Sequence, residues 1–150
     1  MLSCSKAVIA QTLDHLHDGG TRNCETVVLW LGRRSDQLQP VLEVYRPDQI
    51  VDIDYFRIPS ESMRSLSAHL RANRLHILSQ VHSHPELAFH SRADNEWAIV
   101  RHIGAVSLVV PWFGRSTTPA SFIADIAAFR LSEADRWDGV PAPEVLEVHE

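Results

Sequence analysis

Residues 80–94 hold the side chains of this chain best suited to chemistry, with His82 and His84 one residue apart, Pro85 directly after them, and Ser91 and Asp94 closing the run as Ser-x-x-Asp. The preceding Leu75–Val81 is apolar and β-compatible, which predicts that His82 and His84 end a strand with both imidazoles on one face. Pro85 cannot donate to a sheet ladder and biases His84 toward an extended backbone, so the strand stops where the imidazoles project. Ser91 has the chemistry of a helix N-cap and Asp94 the capping-box spacing, which predicts a helix from Arg92 to about His102. A strand end and a helix start then gather two nitrogens and one carboxylate oxygen. Three protein ligands with an open position describe a catalytic zinc site, whereas a structural zinc wants a fourth protein ligand. A fourth donor from the neighbouring His90 would close the position that water must take, so His90 is read as a rim or solvent-facing histidine.

The pattern His82-x-His84-Pro85, a short spacer, then Ser91-x-x-Asp94 resembles the metal-binding motif of the JAMM (MPN-plus, Mov34/JAB) zinc metalloproteases. The spacer Glu86–His90 is one residue shorter than in many members, as a shorter loop would give. The resemblance covers nearly the whole chain and implies an α/β fold: a single JAMM/MPN-like domain over residues 1–150, with a mixed, strongly curved β-sheet flanked by helices in cytidine-deaminase-like layering. It implies one catalytic Zn2+ held by His82, His84 and Asp94. With no long insertion evident, the chain resembles a compact prokaryotic, deubiquitinase-type (Prok-JAB-like) member.

The family also places a general-base Glu at the start of an early strand. Here Cys24–Gly32 is an apolar strand that begins with Glu25. Taken alone, Glu25 is a polar residue at a strand edge, and Glu43, Asp52, Asp54 and Glu61 compete with it. The resemblance favours Glu25, with Gly32 matching the family's flank and Val28 standing where many members have a glycine. Glu25 would then take a proton from water, direct the attack at a peptide or isopeptide carbonyl, and protonate the leaving amine. The Ser91 hydroxyl would donate to the oxyanion, a contact of a type worth about 3–4 kcal/mol in other hydrolases. Cys24, adjacent on the strand, points to the opposite face and is expected to be neither nucleophile nor ligand.

The elements that must position these groups are legible in outline. Lys6–His17 carries Val8, Ile9, Leu13 and Leu16 on one helical face, and Gly19-Gly20 supplies a stop. His15 and His17 lie about 200° apart around that helix and read as surface histidines. Pro40–Tyr45 and Ile50–Ile58 read as strands across the turn Arg46–Gln49. An amphipathic helix follows Pro59-Ser60, with Met63, Leu66 and Leu70 inward and Arg71–Arg74 as its solvated end. After the motif helix, with Trp97 in the core, Gly104 breaks the pattern and Ala105–Pro111 is β-prone. Trp112–Pro119 is a loop, either a groove wall or plain surface. Ala120–Leu131 reads as a last long strand, and Val145–Val148 as a short edge strand.

Composition narrows the class. One hundred and fifty residues suit one domain with a real core. A net charge of -5 argues against a nucleic-acid-binding surface. No signal peptide or membrane span is read, because Lys6, Gln11 and Asp14 interrupt the first apolar stretch. Cys4 and Cys24 are too few for a disulfide framework, so the expected setting is cytoplasmic. The resemblance implies a ubiquitin-like protein or its conjugates as substrate, cleaved after the C-terminus in precursor processing or deconjugation. Such bacterial proteins are encoded beside activating (E1-like) and conjugating (E2-like) enzymes, including in anti-phage defence operons. Alternatives within the resemblance are a peptidase acting on sulfur-carrier proteins or on cell-wall or phage-tail peptides, and, from another class, a catalytically inactive MPN scaffold.

Overall fold

A computed structural model describes residues 1–51, 56–89 and 98–150. In chain order its elements are β1 (Leu2–Ser5), α1 (Lys6–Gly20), β2 (Val27–Gly32), β3 (Gln39–Tyr45), β4 (Ile50–Val51), β5 (Phe56–Arg57), α2 (Ser60–Asn73), β6 (His76–Ser83), β7 (Val106–Val110), α3 (Phe122–Asp125), β8 (Ala127–Leu131), β9 (Trp137–Val140) and β10 (Leu146–His149). Among the described residues the main sheet has eight strands in the order β10-β1-β3-β2-β6-β7-β8-β9, and β4 and β5 form a separate pair. Parallel pairing at β1–β10, β1–β3 and β6–β7 and antiparallel pairing elsewhere make the sheet mixed.

β2 explains the layering. All six of its residues are buried, which a strand covered on both faces requires. Val28 and Trp30 face the cluster that includes Ile9, Leu13 and Leu16 of α1. Leu29 and Leu31, pointing the other way, pack on Leu66 of α2 with Met63 and Leu70 beside it. Helices therefore cover opposite faces of one curled mixed sheet, as the family resemblance implied. α1 begins where β1 ends, with the Ser5 hydroxyl accepting from Val8 N at 3.3 Å.

Three expectations change, and two strands are new. Ile50–Ile58 is not one strand but the pair β4 and β5, with Ile50 opposite Arg57 and Val51 opposite Phe56; residues 52–55, including Asp52 and Asp54, lie outside the described residues. The expected strand Ala120–Leu131 starts instead with α3, because Phe122 and Ile126 are buried together at helical i,i+4 spacing and Ile126 N bonds to Phe122 O. The helix expected to run to His102 has no helical residues in 98–102: Ile99 N donates to the Gln80 carboxamide at 2.9 Å instead of to a preceding turn. β1 and β9 had no counterpart in the sequence reading.

Cys4, on the core face of β1, gives the first testable consequence. Burial pushes its thiol up from an ordinary 9.0 to about 12. The folded state thus resists forming the thiolate that the unfolded chain forms readily. This contribution to stability is whole below about pH 9 and is lost as pH climbs toward about 12, at up to about 1.4 kcal/mol per pH unit. Urea unfolding at about pH 8 and about pH 10.5 should show a smaller alkaline loss in Cys4→Ala than in the parent chain.

Candidate functional site

The register of β2 against β6 builds the site. Leu29 pairs with Gln80, Val28 with Val81 and Val27 with His82, antiparallel. Carried toward the start of β2, the same register sets Thr26 opposite Ser83 and Glu25 opposite His84. The hydrogen bonds agree: Ser83 N donates to Thr26 O at 3.0 Å, and Thr26 N to the Ser83 hydroxyl at 3.1 Å. Opposed residues share a face of an antiparallel pair, so Glu25 and Val27 stand with His82 and His84 on the Leu29 side of the sheet. His84 Nε2 lies 3.8 Å from Glu25 Oε1. The two imidazole rings are 5.1 Å apart between centroids and tilted by 48°. His82 is 0% exposed, His84 1% and Glu25 2%, so all three are withdrawn from bulk water.

His84 stands one residue past β6 and is held by its backbone. Its N–H donates to Val110 O at 2.9 Å, and its carbonyl accepts from Phe113 N at 2.8 Å. The next link is Trp112 N to Glu86 O at 2.9 Å. The clamp is a turn in which Trp112, Phe113 and Gly114 all have positive φ, at 55°, 53° and 69°. Two consecutive aromatic residues in the left-handed region cost on the order of 1–3 kcal/mol each and persist only where the surroundings fix them. The fixing groups come from α1 and the segment after it. His17 Nε2–H donates to Gly114 O, and Arg115 Nη2 donates to Gly20 O at 2.8 Å and Asn23 Oδ1 at 2.7 Å. The Arg115 guanidinium also lies 5.1 Å from the Phe113 ring centre. His17 is therefore half-buried and structural, not the surface residue expected, and the Trp112–Pro119 loop begins as a clamp on His84. Gly19 completes the packing: a Cβ there would sit 1.8 Å from Thr26 Oγ1, so only a glycine lets the end of α1 approach the segment that carries Glu25.

Residues 5–122, which span Glu25, both histidines and the clamp, match the family model of prokaryotic homologs of the JAB domain. The chain belongs to this JAB family. A relative from Sinorhizobium fredii named "Probable metalloprotease y4jG" is 36% identical over 132 residues, covering 85% of this chain and 80% of its own length. A solution structure of a protein from Desulfitobacterium hafniense has the same fold, with a TM-score of 0.74 over 100% of this chain and 94% of that one at 20% identity.

In this JAB-family chain the described donors suit a divalent transition metal: two buried imidazoles on one sheet face, with a buried carboxylate across from them. Ser91, Asp94, His90 and Trp97 lie outside the described residues, and among the described ones no set of three His, Cys, Asp or Glu side chains forms a complete ion site. Of the competing carboxylates, Glu43 is engaged with His69 at 2.7 Å and Glu61 sits in the first turn of α2, which leaves Glu25 as the described one beside the histidines. Cys24 donates its thiol to Arg22 O at 3.4 Å, and Cys4 is in the core. Sequence reasoning missed Phe89, whose half-exposed ring meets His84 edge-on at 4.5 Å and 81°. Its only signal was an aromatic residue in the short Glu86–His90 spacer.

Proposed function

We propose that this chain is a zinc-dependent peptidase or isopeptidase that cleaves after the C-terminus of a ubiquitin-like protein, with His82, His84 and Asp94 as ligands, Glu25 as general base and Ser91 as oxyanion donor. The observation that carries the reading is the Glu25 carboxylate, almost fully buried and 3.8 Å from His84 on the face shared with His82. A buried carboxylate set against two buried imidazoles on one sheet face favours hydrolysis over an assembly role. Membership of the JAB family and the name of the S. fredii relative support the same chemistry. When bound, zinc supplies Lewis acidity, which lowers the pKa of a coordinated water from ~15.7 to roughly 7.

The chain's own groups do the rest. Glu25, held rigid by its buried backbone, takes a proton from the attacking water and returns it to the leaving amine. His84 keeps its place through its bonds to Val110 and Phe113, so the donor geometry precedes substrate binding. Ser91 donates its hydroxyl hydrogen to the carbonyl oxygen as negative charge develops there. The exposed Leu87 and Phe89, on the loop that follows His84, and Trp112, on the turn that clamps it, offer apolar contact to the extended tail of a substrate.

The test is incubation with a ubiquitin-like protein fused to a short C-terminal peptide, with and without a chelator. Cleavage at the fusion point is expected, lost with the chelator and regained on adding zinc. Purified protein without zinc, inert toward the fusion and indifferent to His82→Ala, would instead identify an assembly module.

A further inference from the structure

We propose that Gln49 is a positioning residue for Glu25; the inference rests on Glu25 being the base. The register of β2 against β3 pairs Leu29 with Tyr45 and Trp30 with Val44. Carried toward the start of β2, that register sets Val27 opposite Pro47, which has no N–H to give, and β3 has already ended at Tyr45. In an antiparallel strand, peptide groups face alternate neighbours. Thr26 bonds to Ser83 on the β6 side, so Val27 directs its N–H and C=O to the side that β3 has vacated. Val27 is fully buried, and water cannot serve these groups.

The Gln49 carboxamide fills the gap. Its Oε1 accepts from Val27 N at 2.8 Å, and its Nε2 donates to Val27 O at 2.9 Å and to Pro47 O at 2.9 Å. A single side chain thus imitates a strand residue, offering one acceptor and one donor at ladder spacing. The start of β2 is gripped from both edges, by Ser83 at Thr26 and by Gln49 at Val27, directly after the carboxylate that must meet His84. From Leu29 onward β2 is laddered to both β3 and β6 and does not need Gln49. Loss of Gln49 therefore frees the segment carrying Glu25 while leaving the sheet intact. A shift of about 1 Å in a reacting group can cost on the order of 100-fold in rate.

Two variants of the full chain test this. Gln49→Met keeps length and bulk but can neither donate nor accept effectively, and Gln49→Glu keeps the acceptor for Val27 N–H. With the C-terminally extended ubiquitin-like fusion as substrate, Gln49→Met is expected to lower kcat about 10- to 100-fold, with KM within about twofold and zinc content at the parent level. Gln49→Glu, which loses both donated bonds and sets a carboxylate oxygen against the carbonyls of Val27 and Pro47, is expected to regain none of the loss. Without any substrate, amide exchange at Val27 should speed up at least about tenfold in Gln49→Met while Leu29 and Val81 stay protected. Parent-like kcat or parent-like exchange at Val27 in Gln49→Met overturns the proposal. So does a fall in kcat matched by loss of zinc or of cooperative unfolding, which would make Gln49 a residue of the fold alone. Glu25→Gln, assayed alongside, separates the two readings. If it retains turnover, the assignment of the base fails and this inference goes with it; if it is inactive while Gln49→Met turns over normally, only the positioning role is lost.

Discussion

Glu25→Gln should leave the chain folded and metal-loaded while lowering hydrolysis by about 100- to 10,000-fold, the range that a positioned general base contributes. The substitution is close to isosteric, so the carboxamide occupies the same buried space between the start of β2 and His84. What it removes is the ability to accept a proton at that point. The backbone bonds of Thr26 and Val27 that fix the segment do not involve the side chain, so stability should change little. Kinetics on the extended ubiquitin-like fusion, paired with zinc analysis and a thermal melt, check the three parts separately. Turnover within about tenfold of the parent would place the base elsewhere.

His82→Ala should weaken metal binding by more than about 100-fold, since even the outer partners of metal ligands cost about 10- to 100-fold when removed. His82 is fully buried and lies within β6, directly opposite Val27, so neither side chain nor backbone can swing to let another donor substitute. The effect is measurable without a substrate. A ligand that binds the native state alone raises the melting midpoint by mass action. Added zinc should therefore raise the midpoint of the parent chain and leave that of His82→Ala where it was. An equal zinc-dependent rise in both proteins would remove His82 from the ligand set.

How much of this was readable from residue types depends on how local the cause is. His82 and His84 declared themselves because side-chain alternation is a property of one strand, and the apolar run before them marks that strand. Glu25 was readable only through resemblance. Its place opposite His84 follows from the β2–β6 register, which links distant segments and leaves no trace in either alone. The start of α3 was misread because Phe122 and Ile126 fit helical spacing as well as a broken alternation, and a run this short does not decide between them. β1 and β9 are four residues each and half polar, too brief for periodicity to register. The turn at Trp112–Gly114 was out of reach, since nothing in an aromatic pair announces left-handed backbone. Gln49 looked like one residue of a polar turn, and its role depends on Pro47 lacking an N–H across from a strand many residues earlier.

The backbone grip on His84 also bears on how the molecule matures. That grip joins the end of β6 to the end of β7 and to the left-handed turn beyond it, while the turn is itself secured from the end of α1. β6 and β7 are parallel, so their pairing closes a long crossover and belongs to the slow, non-local part of folding. A chain leaving the ribosome can hold His82, His84 and Glu25 in the open for some time before Phe113 and Arg115 have emerged to complete the set. Hydrolytic competence should thus arrive late and all at once, and a half-made molecule would have little capacity to cut its neighbours.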